Sequence, residues 1–263
     1  MTTESDVLEQ LVHMSRRLGD PARDFVLLHE GNTSAKIDEA SFLVKASGRQ
    51  LCDIGADGFV EVRTAPVLEM LEAGEMTDEQ IKDALATARV DPSATLRPSV
   101  ETVLHAVLLD LESIRFVAHT HPSDVNAVVC AENAREAVSG RLFPDEIVVC
   151  GPAPAFVEYV DPGLPLARAV RDAVDGYLDE WNELPKVILM QNHGMIALSG
   201  TGGEVEAITA MCAKTCRILR GTYAFGGPNY LSDENVSRIH TRPDEAYRRK
   251  ALEEAAKRPK GKE

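Results

Sequence analysis

The sequence predicts an α/β protein, and three observations predict it. Apolar residues recur at helical spacing in some segments, gather into short continuous runs in others, and the two kinds of segment alternate along the chain. A chain of 263 residues with 44% hydrophobic content can bury a sizeable core, as one large domain or two small ones. No stretch is rich enough in Gly, Ser or Pro to act as a linker, and no internal repeat is visible, so we expect one domain over 1–263, with a core at about 6–225 and a polar tail at 226–263.

Composition narrows the function before any motif does. A net charge of −14 and a pI near 5.0 disfavour nonspecific binding to nucleic acid or anionic membranes, which leaves a small molecule as the expected partner. An anionic substrate stays open if a metal ion concentrates positive charge in the pocket. The five cysteines, Cys52, Cys130, Cys150, Cys212 and Cys216, are odd in number and widely spaced, unlike a disulfide framework, and Cys212 and Cys216, four apart on an expected helix, read as small buried apolar residues rather than a metal site. The opening Met-Thr-Thr-Glu-Ser-Asp is acidic where a signal peptide is basic, and no apolar run reaches membrane-spanning length; a cytoplasmic protein is expected.

Taken in order, residues 6–18 place Val7, Leu8, Leu11, Val12, Met14 and Leu18 at helical spacing, ending near Gly19 and Pro21. Residues 25–28 (Phe-Val-Leu-Leu) read as a strand, followed by two more at 35–37 and 42–46 joined at Asp38 and Glu39. Small-polar turns at residues 31–34 (Gly-Asn-Thr-Ser) and at Ser47-Gly48 lie at strand ends, where backbone N–H groups and hydroxyls can meet an anion; either alone is ordinary turn chemistry. Asp57-Gly58 marks a hairpin before a strand at 59–63, and helices follow at 65–71 and 77–88, the second opening on Asp78 and Glu79.

Pro92 and Pro98 then lead into a helix capped by Ser99, with Val100, Val103, Leu104, Val107, Leu108 and Leu111 on its buried face and Glu101 in its first turn. Pro122 stops the strand at 116–121, and Ser123 caps a helix running towards Gly140. Residues 147–150 read as a short strand, 166–170 as helix, 186–198 as two apolar strands about a turn, and 204–219 as helix. The basic residues at 257–262 read as a solvated end.

The chemistry concentrates in four of these stretches. In an extended strand His119 and His121 project to one face, about 6.5 Å apart by strand rise, with Thr120 on the other. Neutral imidazole is the commonest zinc ligand, but a catalytic zinc takes three protein ligands and keeps one position open. His193, in the Asn-His-Gly turn between two apolar runs, is the third candidate; Asn192 and Gly194 tolerate the backbone angles such a turn needs. Glu101 is the fourth, its ionised form favoured by the helix dipole.

Gly-Asn-Thr-Ser at 31–34, Pro-Ser-Val-Glu at 98–101, His-Thr-His at 119–121 and Asn-His-Gly at 192–194 together resemble the class II aldolase/adducin family in order and spacing, over roughly residues 6–225. Fuculose-phosphate and rhamnulose-phosphate aldolases are nearest in kind. The resemblance implies a three-layer α/β/α domain with a central, largely antiparallel sheet, assembled as a homotetramer with sites at subunit interfaces. It implies that His119, His121 and His193 bind zinc (Mn²⁺, Co²⁺ or Fe²⁺ being acceptable to the same ligands), joined by Glu101 as ligand and catalytic base. A sugar phosphate would bind at Gly31, Asn32, Ser47, Gly48 and Ser99. Val100 departs from the pattern, standing where these aldolases often have a second serine.

The implied reaction is reversible cleavage of a ketose 1-phosphate to dihydroxyacetone phosphate and an aldehyde through a zinc-stabilised enediolate. A second acid from a neighbouring subunit is part of the family pattern, for which Tyr223, Tyr230 and His240 are the candidates. Decarboxylation and sugar-phosphate 4-epimerisation on the same platform stay open, the glutamate at 101 favouring cleavage over epimerisation. So does a noncatalytic adducin-like interaction module, which would have no reason to keep three histidines and a carboxylate together.

Overall fold

A computed structural model of the chain describes residues 3–242. Its first half runs α1 (Glu4–Leu18), β1 (Asn32–Lys36), β2 (Ser41–Lys45), β3 (Phe59–Arg63), α2 (Thr64–Glu72), α3 (Asp78–Ala88), α4 (Thr102–Leu109) and β4 (Phe116–Thr120). The second half runs α5 (Ser123–Val129), α6 (Ala134–Ala137), α7 (Pro144–Cys150), β5 (Ala155–Val157), α8 (Leu164–Trp181), β6 (Val187–Met190), β7 (Gly194–Ser199), α9 (Gly202–Thr222) and α10 (Asp233–Thr241).

The strands form one sheet in the order β3-β2-β1-β4-β7-β6-β5, antiparallel throughout except for the edge pair β5 and β6. Because side chains alternate across a strand, every strand but β1, whose second face is polar, feeds two cores. Phe42, Val44, Val117, Ile188 and Ile196 face one layer of helices, packing with residues of α2, α3, α4 and α8. Leu43, Phe116, Ala118, Leu189 and Met195 face the other, packing with α1, α5 and α9. This is the expected three-layer arrangement around a largely antiparallel sheet.

Local chemistry explains where the helices start. Thr3 and Thr77 close reciprocal capping boxes with Asp6 and Gln80 at the heads of α1 and α3, and Thr201 accepts the N–H of Glu204 at the head of α9. All eight residues of α4 are buried, so this helix runs through the interior and fixes whatever stands at its N-terminus.

Several expectations need correction. Residues 25–28 form no strand: the C=O of Phe25 accepts the N–H of His121, the Leu27 backbone bonds only locally to Glu30, Leu27 and Leu28 are exposed, and Leu28 turns at φ +55°. Residues 32–34 belong to β1 rather than to a turn, Gly31 alone adopting φ +68°. Asp57 and Gly58 lie in a 3₁₀ turn, although β3 does pair with β2. Val100 is exposed, and α4 begins at Thr102 with Glu101 at the cap position. The helix after Pro122 ends at Val129 and resumes only as the single turn α6, with no side-chain cap bond from Ser123.

Residues 147–150 are the end of a helix, not a strand. Pro144 stands in its first turn with Asp145 and Glu146, and the buried ion pair of Glu146 with Arg141 anchors it. The strand β5 and the helix α10 went unread in the sequence, and the basic residues 257–262 lie outside the described residues. Among the described residues no helix is long and apolar enough to cross a membrane.

Candidate metal centre

The site forms where β1, β4 and the β6–β7 turn end beside the head of α4. His119 lies on the face of β4 shared with Val117, the face turned towards α4, with Asn32 its direct partner across the β1–β4 ladder, and His121 follows two residues on. His193 arrives from the turn after Met190, where Asn192 takes φ +53°. Gly194 serves a different need from the one its neighbour meets: a Cβ there would lie 2.6 Å from Cδ2 of His121 and 2.6 Å from the Thr120 carbonyl oxygen. Only a glycine lets the histidine-bearing turn approach β4 this closely.

The three imidazoles are brought together, each offering a ring nitrogen within 4.8 Å of the others. Nε2 of His119 and Nε2 of His121 are 2.9 Å apart, and the ring centroids of His119 and His193 are separated by 4.8 Å. Oε1 of Glu101 lies 3.7 Å from Nε2 of His119 and 3.5 Å from Nε2 of His193. Outer contacts orient the rings. Nδ1 of His119 is 3.0 Å from the Met195 carbonyl oxygen, to which it donates, and this turns Nε2 towards the cluster. Nδ1 of His121 is 3.8 Å from Oε2 of Glu30.

The electrostatics shift His121 and His193 towards the neutral form and keep the carboxylate charged. Burial and the neighbouring His119 push His121 down to about 3, and the same causes lower His193. Burial alone would raise Glu101, but the attraction of His119 and His193 and the hydrogen bond from Asn32 outweigh it and hold the carboxyl below its ordinary value. Three imidazole nitrogens and a carboxylate converging on one small volume are the donor set a divalent metal requires.

The expected anion-binding residues gather next to this cluster. An antiparallel bridge between Ala46 and Pro98, with the Ser47 N–H donated to the Arg97 carbonyl, holds the Ser47-Gly48 turn against Ser99. Gly48 takes φ +78°, and the Ser99 hydroxyl accepts the N–H of Glu101 at 3.3 Å. Asn32 is not free: its Nδ2 donates to Oε2 of Glu101 at 2.6 Å, and its Oδ1 meets Nε2 of His105. Gly31 packs against the His119 carbonyl.

Sequence reasoning missed Lys45. Its side chain is buried, with Nζ held by the carbonyls of Arg49 (2.7 Å) and His29 (3.3 Å), and burial lowers its pKa while Glu101 opposes that shift. A lysine closing an apolar strand two residues before a Ser-Gly turn was the available signal. His105 was missed too, since a histidine inside an apolar helix looks like core. Tyr223, Tyr230 and His240 stay outside the cluster within this chain: Tyr223 is exposed, Tyr230 donates to the Ala137 carbonyl and His240 pairs with Glu183. All five cysteines are free, and Cys150, Cys212 and Cys216 are buried, the last two as expected.

Comparison with known proteins identifies the family. The family described as Class II Aldolase and Adducin N-terminal domain matches residues 9–219. An uncharacterized oxidoreductase, YuxG, of Bacillus subtilis (strain 168) is 29% identical over 202 residues, which are 74% of this chain and 27% of that relative. The chain therefore spans about a quarter of that protein's length. The methylthioribulose-1-phosphate dehydratase of Geobacillus kaustophilus (strain HTA426) is 26% identical over 197 residues, 70% of this chain and 78% of that one. The solved structure of an L-fuculose 1-phosphate aldolase shares the fold, with a TM-score of 0.68 at 18% identity over 91% of this chain and 96% of that one.

Proposed function

The chain belongs to the class II aldolase and adducin N-terminal domain family, and from that premise we propose that it is a metal-dependent lyase acting on a ketose 1-phosphate, cleaving it reversibly to dihydroxyacetone phosphate and an aldehyde. The observation that carries this reading is the convergence of His119, His121 and His193 within 4.8 Å beside the Glu101 carboxylate. A divalent cation held by such a set supplies Lewis-acid polarisation of a substrate carbonyl. Zinc suits three imidazoles best, while Mn²⁺, Co²⁺ and Fe²⁺ fit the same ligand types.

The chain's own residues do the rest. Oε1 of Glu101 faces the ligand cluster, where it can take a proton from a substrate hydroxyl and return it to carbon. Oε2 is fixed by Asn32, which keeps the carboxylate from swinging away. The Ser47-Gly48 turn, Ser99 and the buried Lys45 ammonium offer N–H, hydroxyl and positive charge to a phosphate a short distance from that carboxylate. The homotetramer implied by the family pattern would cover Tyr223 and Phe225, which stand 53% and 92% exposed just beyond α9.

A second reading, dehydration of a ketose 1-phosphate, is favoured by the dehydratase relative and needs the same base and the same polarised carbonyl. A panel of ketose 1-phosphates offered to the zinc-loaded protein separates the two. Release of dihydroxyacetone phosphate supports cleavage, and loss of water with the carbon chain intact supports dehydration. Turnover of no member by either route would remove the ketose 1-phosphate lyase reading.

A further inference from the structure

Behind Glu101 runs a line of side chains of which the proposed chemistry uses only Asn32. Asn32 and Ser34 are two apart on β1 and share the face turned towards α4; Glu101 and His105 are four apart at the head of α4 and share the face turned back. The two pairs interleave. Ser34 Oγ is 2.6 Å from Nδ1 of His105, Nε2 of His105 meets Oδ1 of Asn32, and Nδ2 of Asn32 is 2.6 Å from Oε2 of Glu101. Ser34 and His105 are fully buried, and Asn32 is 4% exposed.

The proton on each bond follows from its neighbour. An ionised carboxylate only accepts, so Asn32 must present its NH₂ to Glu101 and its carbonyl oxygen to His105. His105 must then donate from Nε2, which leaves Nδ1 to accept the Ser34 hydroxyl proton. Every donor in the line points towards Glu101, an alignment in which each bond polarises the next.

We propose that His105, locked in its Nε2–H form by Ser34, is a positioning residue that fixes the Asn32 amide so that Glu101 exchanges protons through Oε1 alone. Oε2 is occupied by the Asn32 donor, which leaves Oε1 as the oxygen turned to the histidine cluster. This rests on the reading of Glu101 as the acid/base. Without His105 the amide of Asn32 is free to flip and turn its oxygen on the carboxylate, which would rotate Glu101 out of line.

The test uses the full zinc-loaded chain. Nitrogen-15 spectra of labelled histidine should show His105 protonated at Nε2 and bare at Nδ1; the other form, or protonation of both nitrogens, overturns the proposal. That readout needs no substrate, so it tests the Ser34–His105–Asn32 line separately from the lyase reading.

Turnover supplies the second arm. His105→Leu, close in volume, should lower kcat about 10- to 100-fold with KM and zinc content within about twofold of wild type. His105→Gln, whose amide can accept from Ser34 and donate to Asn32, should recover most of that loss. Equal loss in the two variants, or loss of zinc from both, would mark His105 as a packing residue and overturn the proposal. Should His105→Leu fail to fold, Ser34→Ala removes only the hydroxyl. It should mix the two forms of His105 and lower kcat several-fold, and an unchanged spectrum with unchanged kcat would overturn the proposal.

Discussion

Gly194 and His121 touch edge to backbone: a methyl group on Gly194 would stand 2.6 Å from the imidazole Cδ2. The contact joins the β6–β7 turn to the end of β4, so the spacing of His193 from His121 depends on a missing side chain. Gly194→Ala should therefore push the rings apart, weaken zinc binding about 10- to 100-fold and cost about 1–3 kcal/mol of stability. Competition with a chromophoric chelator measures the first effect and urea unfolding the second; zinc affinity equal to wild type would contradict this account of the turn.

The buried histidines make the metal-free protein acid-sensitive. Burial first, and then His119, push His105 down to about 3 in the fold, against about 6.5 when unfolded. The folded value is the lower one, so the unfolded chain binds more protons between the two. The stability is present above pH ~6.5 and is lost as pH falls towards ~3. His105 alone should cost about 2 kcal/mol between pH ~6.5 and ~5, at about 1.4 kcal/mol per pH unit, and His121 adds to the same side. Urea midpoints that do not move over this range would refute it.

Lys45 should matter to substrate more than to fold. Lys45→Met keeps the buried stem and removes the charge beside the Ser47-Gly48 turn, and KM for a phosphorylated substrate should rise about tenfold or more with kcat changed less. Lys45→Arg should not restore it, since the cramped carbonyl cradle suits a compact ammonium. An unchanged KM in the Met variant would take Lys45 out of the site.

Glu101→Gln keeps the shape and the contact with Asn32 through its amide oxygen while removing the base. Turnover should fall about a thousandfold or more with the fold intact. Steady-state rates on the substrate found by the panel measure this, and a variant retaining a tenth of wild-type activity would assign the base elsewhere.

The parts of the fold legible in the sequence were those whose signal is local. The helix from Glu4 to Leu18 shows in its apolar spacing, and the β6–β7 hairpin in two apolar runs about Asn-His-Gly. The His-x-His of β4 was readable because strand alternation fixes which side chains share a face. Residues 147–150 misled because four apolar residues in a row look the same in a strand and in a buried helix end, and the Pro144-Asp145-Glu146 first turn with the Arg141–Glu146 pair resolves them. Residues 25–28 misled because Leu27 and Leu28 are exposed despite their hydrophobicity. The role of Lys45 and the link from Ser34 through His105 to Glu101 depend on β1, β2 and α4 meeting in space, which no local pattern records.

The central claim is that three histidines and a carboxylate form one divalent-metal centre, and metal stoichiometry tests it most directly. Chelator-treated protein titrated with Zn²⁺ should take up about one equivalent per chain with high affinity, and His119→Ala, His121→Ala and His193→Ala should each lose it. Binding that survives removal of His193, or no tight binding by the wild type, would contradict the account.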